Sequence, residues 1–81
     1  MKILRFTAAW CNPCKALDTL VATIEHNTTI EKIDIDTDDK TPVQYRVRSI
    51  PMMVKIDESG NVLDTVIGVP SKDRLTEFLN D

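Results

Sequence analysis

The chain is poor in the groups that hold metals, cross membranes or track nucleic acid. Its 81 residues include two cysteines and a single histidine, His26. A zinc site takes about four ligands, so Cys11, Cys14 and His26 leave one short unless carboxylates or a second chain contribute. No run approaches about 18 uninterrupted apolar residues. Met1-Lys2 leads into a short strand-like segment rather than a secretory apolar region with a cleavage site, so neither membrane association nor export is expected, and a cytoplasmic location is. Lysine and arginine, ten in all, are scattered without a run, and the net charge is −3. That leaves no basic stripe to follow phosphates, and nucleic acid is not an expected partner. Linker, repeat and low-complexity segments are missing too, which predicts one domain over residues 1–81. A domain of this size is near the lower end of what folds on a single core, so no large substrate pocket is expected.

What is present is concentrated in one place. Cys11 and Cys14 stand together in Trp10-Cys11-Asn12-Pro13-Cys14-Lys15. A disulfide across so short a loop constrains the unfolded chain by only about 2 kcal/mol, and a structural staple would span more of the sequence. Both cysteines of the protein in one adjacent pair also suit a reducing compartment, where disulfides are transient and catalytic. The pair therefore reads as a dithiol/disulfide couple exposed at a helix start.

The segment Lys2 to Thr7 is β-branched and aromatic enough for a strand, and Asn12-Pro13 places a proline in the first turn of the helix that follows. Ala16, Leu17, Leu20, Val21 and Ile24 form one apolar stripe, which predicts a helix running to about Asn27 with His26 near its C-terminal dipole. Thr29 to Asp36 alternates Ile33 and Ile35 with charged residues, a second strand parallel to the first. Asp38 to Tyr45 suits a short helix. Pro51 stands where a strand from Met52 to Ile56 begins, with Met52 and Met53 on opposite faces. Asp57 to Asn61 is a hairpin loop, Val62 to Ile67 the returning antiparallel strand, and Gly68 its break. Ser71 is the expected N-cap of a last helix that buries Leu75, Phe78 and Leu79. The predicted order is βαβαββα, an α/β fold.

Three separated motifs resemble the thioredoxin family: Trp10-Cys11-Asn12-Pro13-Cys14-Lys15, then Ile50-Pro51, then Gly68 ahead of Leu75-x-x-Phe78-Leu79. The resemblance covers nearly the whole chain. It implies the thioredoxin fold, here a four-stranded mixed sheet of order 2-1-3-4 with helices on both faces, and a cis peptide bond between Ile50 and Pro51. It further implies a thiol–disulfide oxidoreductase that reduces protein disulfides as a monomer without metal or cofactor, recharged by a thioredoxin reductase-type reductant. Ribonucleotide reductase is one candidate recipient of its electrons. Cys11 would attack a substrate disulfide as a thiolate, favoured by the helix N-terminus, and Cys14 would resolve the mixed disulfide. The substrate's extended backbone would lie beside Ile50-Pro51, framed by Trp10, Asn12, Pro13, Met52 and the stretch Val66 to Val69, which includes Gly68.

The departures are informative as well. Full-length thioredoxins begin with an additional strand and helix, whereas Met1 here is followed almost at once by the strand that leads to the cysteines, a length close to that of glutaredoxins. Asn12 replaces the usual glycine, and Thr19 replaces a mid-helix proline, so a less kinked helix is expected. Arg5 stands where the family carries a buried aspartate, with Lys32 at the position of its accompanying lysine. Arginine cannot serve as a base at neutral pH. Either Arg5 points under the site, where its charge would favour thiolates, or it reaches solvent or Asp34 and is structural; the second placement is the expected one, with Cys14 losing its proton to water or to the departing Cys11-side chemistry rather than to a buried carboxylate.

Two other functions compete with the first. A glutathione-linked, glutaredoxin-like donor would share the fold, but the Pro-Tyr and Gly-Gly pairs of glutaredoxins are Asn12-Pro13 and Gly68-Val69 here. A non-catalytic binding module of the same fold is the other, and two retained cysteines weigh against it. Asp34-x-Asp36-x-Asp38-Asp39 opens like a calcium loop, yet Asp39 and Tyr45 stand where glycine and a bidentate glutamate belong, so a strand end and helix cap is the simpler reading.

Overall fold

A computed structural model describes residues 1–81. The elements are β1 (Lys2–Thr7), α1 (Asn12–Ala22), β2 (Thr29–Asp34), α2 (Thr41–Gln44), β3 (Met52–Ile56), β4 (Val62–Ile67) and α3 (Lys72–Asn80). They form one sheet of order β2-β1-β3-β4, with β1 parallel to β2 and antiparallel to β3, and β4 antiparallel to β3. The order 2-1-3-4 and the βαβαββα sequence are those expected.

Alternation along the central strands divides the interior in two. Ile3, Met53 and Val66 point to one face and meet Leu17 of α1 and Leu75, Phe78 and Leu79 of α3. Leu4, Phe6, Ile33, Met52, Val54 and Ile56 point to the other, covered by Tyr45, Val47 and Ile50 around α2. All five residues of β3 are buried, as befits a central strand with helical cover on both sides. One of them is Lys55, which lies on the α3 face with its ammonium 4.9 Å from the centre of the Phe78 ring and 3.3 Å from the main-chain oxygen of Asp81. A cation there meets the negative end of the α3 dipole.

Three element boundaries differ from expectation. α1 stops at Ala22 instead of Asn27: Thr23 is its C-cap, its backbone N–H and its hydroxyl both donating to the Leu20 carbonyl, while the Ile24 N–H closes onto Val21. His26 is thus four residues past the helix rather than at its dipole, and its Nδ1 is buried without a partner. β2 ends at Asp34, whose carboxylate accepts the N–H of Asp36 and turns the chain. α2 is a single turn because Asp38 stays outside it as a cap, accepting from the N–H groups of Lys40 and Thr41 and from the Thr41 hydroxyl. α3 begins as expected, with Ser71 accepting the Arg74 N–H. Thr19 leaves α1 continuous, its hydroxyl donating to the Lys15 carbonyl.

Candidate functional site

The register of the sheet assembles the site. Antiparallel pairing sets Phe6, near the end of β1, opposite Met52 at the start of β3, and Met52 in turn opposite Ile67 at the end of β4. The chain leaving β1 toward the cysteines, the Ile50–Pro51 entry to β3 and the Gly68 exit from β4 therefore meet at one end of the sheet. Ile50–Pro51 is a cis peptide bond. Gly68 donates its N–H to the Pro51 carbonyl at 2.9 Å, and its φ of 80° lies in the left-handed region that glycine enters freely.

Cys11 is the N-cap of α1, in extended conformation, and its Sγ accepts the N–H of Cys14 at 3.2 Å. The two cysteines are joined as a disulfide with Cα atoms 5.3 Å apart. They are not exposed, contrary to the sequence reading: Cys11 is 4% and Cys14 2% accessible, because Ala8, Ile35 and Ile50 pack around them. What is exposed is their frame. Trp10 is 66% accessible, Asn12 and Pro13 face solvent beside it, and the Trp10 indole donates to the Asp36 carboxylate at 3.0 Å. Beside Trp10 and Ile50 runs a groove of about 330 Å³, also lined by Ile35, Pro42, Val47, Arg48 and Ser49. Two of the expected rim residues do not belong to this surface. Met52 and Val66 are core, since strand alternation turns them inward, whereas Ile67 and Val69 are exposed.

Arg5 overturns its expected placement as well. It neither reaches solvent nor touches Asp34; its side chain is 12% exposed and its guanidinium donates to the carboxylate of Asp18 on α1. Burial pushes its pKa below the ordinary arginine value. Asp18 and Asp36 are the polar residues that pattern alone missed. Each had a positional clue, Asp18 four residues after Cys14 on the cysteine helix and Asp36 just beyond a strand that runs parallel to the one leading into Trp10.

The thioredoxin family profile matches residues 1–81. The chain is 38% identical to thioredoxin of Haemophilus influenzae over 96% of its own length and 76% of that protein's. It is 34% identical to thioredoxin of Staphylococcus aureus over 99% and 80%. The chain belongs to the thioredoxin family. Its fold agrees: a mutant thioredoxin from Halobacterium salinarum superposes with a TM-score of 0.82 at 29% identity, covering 95% of this chain and 69% of that one. A thioredoxin with a Cys11–Cys14 couple at a helix start is a thiol–disulfide oxidoreductase, and in general terms it takes protein disulfides as substrates and a reductase as electron source. The glutaredoxin-like and non-catalytic readings are not favoured by these relatives. No helix is long and apolar enough to cross a membrane.

Proposed function

We propose that Cys11 is the attacking thiolate and Cys14 the resolving thiol of a cytoplasmic protein-disulfide reductase acting as a single 81-residue domain. The observation that carries this assignment is the position of Cys11 as N-cap of α1, its sulfur already accepting a backbone N–H. Free N–H groups and about half a positive charge at a helix N-terminus favour a thiolate there. Moving a thiol pKa from about 8.5 to about 7 takes roughly 2 kcal/mol of preferential stabilisation, within reach of a dipole of about 0.3–2 kcal/mol joined by one hydrogen bond to a charged sulfur.

The reduced enzyme attacks a substrate disulfide with Cys11, forming a mixed disulfide and releasing one substrate thiolate. Cys14 then attacks Cys11 Sγ and releases the second. Trp10, Asn12 and Pro13 on one side and Ile50, Pro51 and Gly68 on the other form the surface that receives the substrate backbone. Because both sulfurs are enclosed, an extended segment seated along the Trp10–Ile50 groove is the route that brings a disulfide to Cys11. A thioredoxin reductase-type reductant is the electron source we assign, and ribonucleotide reductase one candidate recipient.

Insulin reduction in dithiothreitol tests the activity. The wild-type chain is expected to bring on turbidity well before the dithiothreitol background, and Cys11→Ser to match the background. A wild type no faster than background would instead make this a binding module. For ribonucleotide reductase, turnover unaffected by the reduced protein would remove that recipient.

A further inference from the structure

Beneath the cysteine helix the sheet carries an ion pair that the exchange chemistry does not use. Arg5 lies on the α1 face of β1 and is bonded to Asp18. Asp18 follows Cys14 by four residues within α1, and side chains so spaced stack on one helix face with Cβ atoms about 5–6 Å apart. The carboxylate that holds the guanidinium is therefore one helical turn from Cys14. Its Nε is buried with no acceptor, and an unpaired buried donor is costly. A thiolate at Cys14 would supply negative charge in that neighbourhood which the disulfide does not.

The surrounding charges point the same way. From β2, Lys32 is the register partner of Arg5 and so shares its face. From β3 the partner is uncharged Met53. α1 adds Asp18 and exposed Lys15, and α3 turns Leu75, Phe78 and Leu79 inward while Arg74 pairs with Asp64 and Glu77. Asp34, two residues along β2 and so on the same face as Lys32, is a second carboxylate, which leaves the cations Arg5, Lys32 and Lys15 against Asp18 and Asp34 around the first turns of α1.

We propose that Arg5, held in place by Asp18, stabilises the Cys14 thiolate and thereby sets the rate of the resolving step. Asp18 is a positioning residue and Arg5 acts by its field. In that step the Cys14 thiolate attacks Cys11 Sγ; the Cys11–Cys14 bond forms as the bond from Cys11 to the substrate sulfur breaks. The substrate leaves as a thiolate that takes a proton from water. Two electrons pass from the dithiol to the substrate disulfide, and neither Arg5 nor Asp18 changes its protonation. The proposal rests on Cys14 as the resolving thiol, but a titration of its sulfur reads the effect of Arg5 whatever the order of attack, so the two can fail separately.

The test is the thiolate absorbance of Cys14 against pH in a Cys11→Ser background. Adding Arg5→Gln is expected to raise the Cys14 pKa by about one unit, the lower end of what a neighbouring charge produces, and Arg5→Lys to restore most of the shift. In protein with both cysteines, Arg5→Gln is expected to slow decay of the mixed disulfide about tenfold at neutral pH. Should Arg5→Gln fail to fold with Asp18 unpaired, comparing Asp18→Asn with the Asp18→Asn/Arg5→Gln double substitution isolates the same charge. An unchanged or lowered Cys14 pKa on loss of the guanidinium overturns the proposal.

Discussion

Trp10 shows how much of this site is decided one residue at a time. The indole is two-thirds exposed, yet its N–H is bonded to Asp36, which restrains the plane of the ring. Asp36→Ala is expected to raise KM for a protein disulfide about fivefold with kcat little changed, the worth of roughly 1 kcal/mol of hydrogen bonding felt alike in ground and transition states. Equal losses in kcat and kcat/KM would place Asp36 in the chemistry instead. Away from the site, Arg74 donates to both carboxylate oxygens of Asp64 and, with the Thr65 N–H as a further donor, holds the Asp64 pKa below the usual carboxylate range. A depressed carboxylate stabilises the fold above its unfolded pKa of about 3.9 and stops doing so as pH falls through its lower folded value. Asp64→Asn should therefore lower the urea midpoint at neutral pH, with the difference from wild type vanishing in strong acid; a gap that persisted there would mean the side chain acts by packing.

Helices and strands owe their existence to pattern and their ends to particular side chains. The stripe of Leu17, Leu20 and Val21 made α1 legible, and the alternation around Ile33 did the same for β2. Their endpoints were not legible. Thr23 stops α1 by bonding back to Leu20, an event that apolar periodicity through Ile24 does not register, and Asp34 turns the chain with a side-chain bond where alternation would have carried the strand on through Asp36. Ser71 was readable as a cap because its bond to the Arg74 N–H is local. Ser71→Ala is expected to cost about 1 kcal/mol of stability, and Phe78→Ala, which empties the centre of the α3 face, about 3–5 kcal/mol. Chemical denaturation checks both. A Ser71→Ala loss near that of Phe78→Ala would show that α3 depends on its cap more than on its packing.

At the scale of the whole molecule, the sheet order does the assembling. Sequence motifs identified Cys11, Cys14, Ile50, Pro51 and Gly68 as a set, and the register of β1 against β3 and β3 against β4 explains why residues up to 57 positions apart share one end of the sheet. The long-range choices were less legible: that Arg5 reaches across to α1 and that Met52 and Val66 turn into the core follow from which face each strand residue takes, whereas both sulfurs are enclosed by Ala8, Ile35 and Ile50, which flank the strands. The proposed chemistry divides the labour between the two cysteines, Cys11 attacking and Cys14 resolving. It is tested most directly by incubating reduced Cys14→Ser and Cys11→Ser variants with a disulfide-bonded protein substrate and mapping any mixed disulfide by mass spectrometry. Stable adducts through Cys11 in the Cys14→Ser variant, with little or none through Cys14 in the other, are expected; adducts formed mainly through Cys14 would contradict the assignment.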